Sequence, residues 1–92
     1  MTKARLLPLN QYVQVALARA EYERDEHGVV IAYVPGASGF FAQGESFEAA
    51  RENLRDVVEG NVLLALQLGL PIPEMPGVPS EERDVQAHTS QV

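Results

Sequence analysis

The residues in this chain best suited to chemistry are its acids. Glu21, Glu23 and Asp25 recur at every second position, and Glu48 follows at the start of a helical stretch. Carboxylates that converge on metal ions about 4 Å apart support two-metal hydrolysis of a phosphodiester. The same alternation is what the wet face of a half-exposed strand looks like, and that plainer reading is preferred here. His27 and His88 share no motif, and cysteine is absent. Neither a zinc site nor a disulfide is therefore expected. Gly36, Gly39 and Gly44 do not form a phosphate loop, because no helix begins before Ser46 and no lysine lies nearby. No Ser-His-acid order and no dinucleotide fingerprint exists. The expectation is a protein with no catalytic residues, no cofactor and no metal, which acts by binding.

A second constellation is aromatic. Phe40 and Phe41 are adjacent, and neighbours in a strand face opposite ways. One ring must leave the core. It either packs on another part of the assembly or serves as a contact for a partner, since exposed aromatics mark interfaces.

The elements that must position these groups follow from pattern. Leu9, Tyr12, Val13, Ala16, Leu17 and Ala20 have helical spacing, with Asn10 as candidate N-cap. Ala20 to Asp25 alternates as a strand, and Asp25-Glu26-His27-Gly28 is a turn. Val29 to Val34 is apolar at every position and reads as a strand buried on both faces. Pro35 to Gly39 breaks it, and Phe40 to Gln43 resumes as a third strand. Ser46 caps a helix predicted over Phe47–Leu68, closed by Gly69 and Pro71. In its first half Phe47, Ala50, Leu54, Val57 and Val58 make an apolar face. Val62 to Leu68 is apolar nearly all round, so it needs cover on more than one side. Leu70 to Pro73 reads as a short edge strand. The expected class is α+β: an N-terminal helix, a three-stranded antiparallel sheet, a long helix and a short edge strand. Residues 1–19 form an arm and short helix, 20–73 the domain, and 74–92 an acidic tail expected to be disordered.

With 92 residues and no cysteine, the chain has a thin core and gains most from a second subunit. A homo-oligomer, dimer or tetramer, is expected, with Ile31, Tyr33, Val62, Leu63 and Leu66 at its interface. The net charge of −6 opposes contact with phosphate backbones, and the seven basic residues are scattered, so DNA is not an expected partner. An acidic surface instead suits a basic protein. No stretch approaches a membrane span or a signal sequence, and the expected location is the cytoplasm.

The segment from Tyr22 to Pro73 resembles the HicB family of antitoxin-like proteins. The matching residues are Tyr22 in a strand, then Asp25 and Gly28 in the first turn. An apolar strand ending at Pro35 follows, then Gly39 and the Gly44-Glu45-Ser46 turn. Glu48-Ala49 opens the long helix, Asn53-Leu54 continues it, and Ile72-Pro73 closes the set. The resemblance implies a partial RNase H-like β-β-β-α-β fold. It also implies pairing with a small basic toxin of the HicA type, an mRNA-cleaving ribonuclease whose active site the antitoxin covers. Where the family has a Pro-Asp-Leu-Pro-Gly loop, this chain has Pro35-Gly36-Ala37-Ser38-Gly39, without the acid. A C-terminal DNA-binding extension, common among relatives, is not recognisable in the 19 residues after Pro73. The residues expected to meet a partner are Glu21, Glu23, Asp25, Phe40, Phe41, Glu52 and Asp56. The alternative function is a solitary oligomeric domain that binds another protein or a small ligand, with no toxin.

Overall fold

The computed structural model of the chain describes residues 3–6, 8–78 and 81–84. Its elements are β1 (Lys3–Leu6), α1 (Leu9–Arg19), β2 (Glu21–Arg24), β3 (Val30–Tyr33), β4 (Phe41–Gly44), α2 (Phe47–Leu68) and β5 (Glu81–Asp84). Strands β2, β3 and β4 form an antiparallel sheet in that order. Both helices lie on one side of it, which gives the α+β class expected from the pattern.

The sheet's two faces differ because side chains alternate along each strand. Register sets Tyr22 beside Ala32 and Ala32 beside Ala42. That row, with fully buried Val30, faces the helices. The outer row holds Glu21, Glu23, Ile31, Tyr33, Phe41 and Gln43. The run from Val29 to Val34 is thus buried on one face only. Val30, Ala32 and Val34 are in the core, while Ile31 and Tyr33 are half-buried. The expectation of cover on both faces fails because both helices pack on the same side.

Helix α1 buries Tyr12, Val13, Ala16 and Leu17. Its N-cap is Pro8 rather than Asn10, and no side chain caps it. The Pro8 carbonyl accepts from the Tyr12 amide at 2.9 Å, so the first turn closes two residues earlier than the polar signal suggests. Helix α2 has the bounds expected of it. The Ser46 hydroxyl accepts from the Ala49 amide at 3.0 Å. Gly69 ends the helix in the left-handed region at φ 69°, where a side chain would cost stability. Ala50, Leu54, Val58, Val62 and Ala65 form its buried stripe.

Two expectations about the C-terminal part are corrected. Residues 70–73 form no strand. They run as an irregular segment whose prolines cannot donate to a ladder. Residues 74–78 are not a loose tail either, for Met75 is only 5% exposed and belongs to the core. Side chains of α1 hold this segment: the Tyr12 hydroxyl donates to the Pro73 carbonyl, and Gln11 Nε2 to the Gly77 carbonyl at 3.2 Å. Burial pushes the Tyr12 hydroxyl pKa up to about 12. Further on, β5 pairs antiparallel with β1 in a separate two-stranded sheet. Its register sets Lys3 opposite Asp84 and Arg5 opposite Glu82. The expected disorder of residues 85–92 lies outside the described residues.

Candidate functional site: the outer face of the sheet

The outer face is where the sequence's acids and aromatics meet. Register puts Glu21 opposite Tyr33, and Tyr33 opposite Phe41. Glu23 lies opposite Ile31, and Ile31 opposite Gln43. Cross-strand neighbours of this kind are in side-chain contact range. The Tyr33 hydroxyl reaches across β2 and donates to Glu21 Oε1 at 3.0 Å and to Glu23 Oε2 at 3.2 Å. A single hydroxyl proton is shared between two carboxylates that would otherwise repel. The hydrogen bond to Glu21 is the main reason its pKa rises to about 12, followed by loss of water, the bond to Glu23 and the negative charge of both acids. Phe41, on the other flank of Tyr33, is 62% exposed. Phe40 is 3% exposed and meets Tyr12 edge-on, with ring centroids 6.3 Å apart.

The other expected site residues fall elsewhere. Asp25 holds its own turn: Oδ1 accepts from the His27 amide at 2.8 Å and the Val29 amide at 2.9 Å. Its carboxylate builds the hairpin. Glu52 and Asp56 are exposed on α2, on the far side of the sheet from Glu21 and Glu23, and Glu52 lies 3.9 Å from Arg55. Phe40 and Val62 are buried within the subunit, so neither is available to a partner or to a second copy. Leu63 is 48% exposed, and Leu66 is half-buried against the core. Glu48 lies in the first turn of α2, away from Glu21 and Glu23. Among the described residues, no group of three or more His, Asp or Glu could hold a metal ion. None of the described helices is long and apolar enough to cross a membrane.

Two asparagines guard the sheet's edge: Asn53, which the resemblance marks without giving it a role, and Asn61, which no sequence pattern singles out. Asn53 Nδ2 donates to the Gln43 carbonyl at 2.8 Å, and Asn61 Nδ2 to the Gly39 carbonyl at 3.3 Å. Their spacing of two helical turns lays α2 along β4. Gly44 allows that approach. A Cβ there would meet the Ala50 nitrogen at 2.5 Å and the Ala49 carbonyl carbon at 2.7 Å, closer than real side chains come to backbone. The β2 edge has no such cover among the described residues. It carries Glu21, Glu23 and Arg24, charges of the kind that discourage strand pairing between copies. Arg24 lies over the Phe47 ring at 5.1 Å, and Tyr22 meets that ring edge-on at 5.8 Å. Phe47, expected in the core face, is instead 50% exposed between them.

A three-stranded antiparallel sheet backed by two helices, with one open face and one edge fastened to a helix, defines a small α+β module. The family model described as UPF0150-like matches residues 11–73. The chain belongs to that family. The matched span begins in α1 and ends at Pro73, so it takes in the sheet, α2 and the Tyr12–Pro73 contact. Among solved structures, TTHA0281 from Thermus thermophilus is similar at 28% identity and a TM-score of 0.69, over 75% of this chain and 86% of that one. No curated protein matches the chain in sequence.

Proposed function

We propose that this chain is a non-catalytic, cytoplasmic binding module of the HicB-like antitoxin kind, which neutralises a small basic mRNA-cleaving toxin of the HicA type. The observation that carries the reading is the open sheet face, where Tyr33 holds two carboxylates side by side next to exposed Phe41. The fixed acid pair suits a guanidinium or ammonium group, because charge-assisted hydrogen bonds are about twice as strong as neutral ones. Phe41 supplies a ring on which an arginine stacks. The net charge of −6 adds long-range attraction for a basic partner. Membership of the UPF0150-like family and the ordered residues from Tyr22 to Pro73 agree with it.

Co-expression tests the reading. A short basic ribonuclease encoded beside this chain should arrest growth alone and not when this chain is present. Glu21→Gln with Phe41→Ala should restore the arrest. Equal arrest with and without the wild-type chain refutes the antitoxin function. The second reading, a solitary oligomeric domain without a toxin, draws its support from the exposed leucines of α2.

A further inference from the structure

Helix α2 carries a second stripe that the core does not use. Its buried residues Leu54, Val58, Val62 and Ala65 face the sheet and α1. On the solvent side, Gly60, Leu63, Leu64, Gln67 and Leu68 recur at intervals of three and four, the spacing of one helix face. Leu63, Leu64 and Leu68 are 48%, 50% and 61% exposed. From Gly60 to Pro73 the chain has no charged residue, although 22% of the whole is charged. An uncharged apolar stripe on an acidic chain favours contact with an equally acidic copy, since further acids there would add to the repulsion between the two chains.

Gly60 is the informative position. It lies inside a helix of 22 residues, exposed, where glycine is the least favourable residue short of proline. A Cβ added to it would meet nothing within 4 Å, so packing within the subunit gives no reason for its absence. Glycine on a helix face lets another backbone or a large side chain come close. One turn away on the same stripe stands Leu64. A notch and a knob one turn apart on a single helix are self-complementary across a two-fold axis.

We propose that the stripe is a homodimer interface in which the α2 helices of two copies cross antiparallel, with Leu64 of each seated over Gly60 of the other. This arrangement holds the acidic first halves of the two helices, with Glu48, Glu52 and Asp56, at opposite ends of the contact. It leaves the outer sheet faces of both copies open, and it stands whether or not a toxin exists.

Sedimentation equilibrium of the full chain at 1 to 100 µM (about the range in which a modest interface assembles) tests it. The wild-type chain should be a dimer at the upper end. Leu64→Glu should weaken dimerisation at least about tenfold, one 1.4 kcal/mol step in binding, with unchanged far-UV circular dichroism. Leu68→Glu serves the same purpose if Leu64→Glu does not fold. Gly60→Ala separates the proposal from a merely exposed stripe: it should raise monomer helicity yet weaken the dimer, because the added methyl fills the notch. A wild-type monomer at 100 µM overturns the proposal. So does a dimer that survives both glutamate variants, or one that Gly60→Ala strengthens.

Discussion

Two exposed apolar surfaces lie on opposite sides of this domain, and they are built differently. The outer face of the sheet sets Ile31, Tyr33 and Phe41 among Glu21, Glu23 and Gln43, with a hydroxyl bridging the acids. The outer stripe of α2 has leucines and a glycine with no charge between Gly60 and Pro73. The first combines a ring with oriented negative charge, and it discriminates between partners by charge sign. The second offers only area and shape, and it suits a partner that shares the chain's own charge. Exposure alone would have classed both as sticky patches. Their polar content separates a face for a different molecule from one for an identical copy.

Breaking the junction between the two layers should have the largest effect. Gly44→Val drives a side chain into the backbone of Ala49 and Ala50, which α2 can escape only by leaving β4. Overpacking of this kind costs about 3 kcal/mol, a large share of the stability of a small domain. Both surfaces should fail together, since α2 carries one and braces the sheet that carries the other. Thermal denaturation measures the loss, and a melting temperature within a few degrees of wild type would show that the contact yields. Leu54→Ala, at a fully buried position, should cost a similar amount, about 2 to 5 kcal/mol, by opening a cavity. Its effect should be confined to stability.

Phe41→Ala comes next. Its ring is 62% exposed, so the melting temperature should change little. Affinity for a basic partner should fall by about 2 kcal/mol if the ring anchors the contact, and dimerisation should not change. Titration calorimetry against the partner, together with sedimentation, reads both. Loss of the dimer in this variant would show that the sheet face, not α2, joins the copies. A smaller effect is expected of Glu21→Gln with Glu23→Gln. Charges of this kind act mainly on the association rate, which should drop several-fold and depend less on salt.

Much of this was legible in the sequence because the signals are local. Ser46, Gly69 and Pro71 bracket α2 by capping chemistry, and the bounds Phe47–Leu68 came out as expected. The hairpin was legible from alternation and from Asp25 with Gly28. The side on which a helix lies is a non-local matter. The run from Val29 to Val34 reads the same whether one face or both are covered, and here α1 and α2 share a side. The burial of Met75 was hidden by its acid- and proline-rich surroundings; it depends on the grip of Tyr12 and Gln11, over 60 residues distant in the chain. Asn53 and Asn61 look like ordinary surface polars, because bonds to a strand edge depend on where the helix is laid. The acids show the same limit. Glu21, Glu23 and Asp25 are equivalent by spacing, yet two face out and the third closes a turn.

The finest test of the comparison is the state of the Tyr33 hydroxyl. The bond to Glu21 above all, then loss of water, the bond to Glu23 and the negative charge of both acids lift its pKa from 10.0 to about 12. In the unfolded chain it titrates near the ordinary value of about 10. A group whose folded pKa lies above its unfolded one lends stability that is complete below the lower value and lost as pH climbs through the higher. The contribution of this hydroxyl is therefore intact below about pH 10 and gone above about pH 12. Alkaline titration by tyrosinate absorbance reads it directly. Burial also pushes the Tyr12 hydroxyl up to about 12, and Tyr22 is the third tyrosine of the chain, so the measurement is made on protein carrying both Tyr12→Phe and Tyr22→Phe, over the range where its circular dichroism stays native. Tyr33 should ionise well above about pH 10 there, and Glu21→Gln with Glu23→Gln should bring it back toward that ordinary value. A Tyr33 transition near the ordinary value in the parent protein would mean that the hydroxyl does not bridge the two acids. The outer sheet face would then be a patch of separate side chains, no more specific than the leucine stripe behind it.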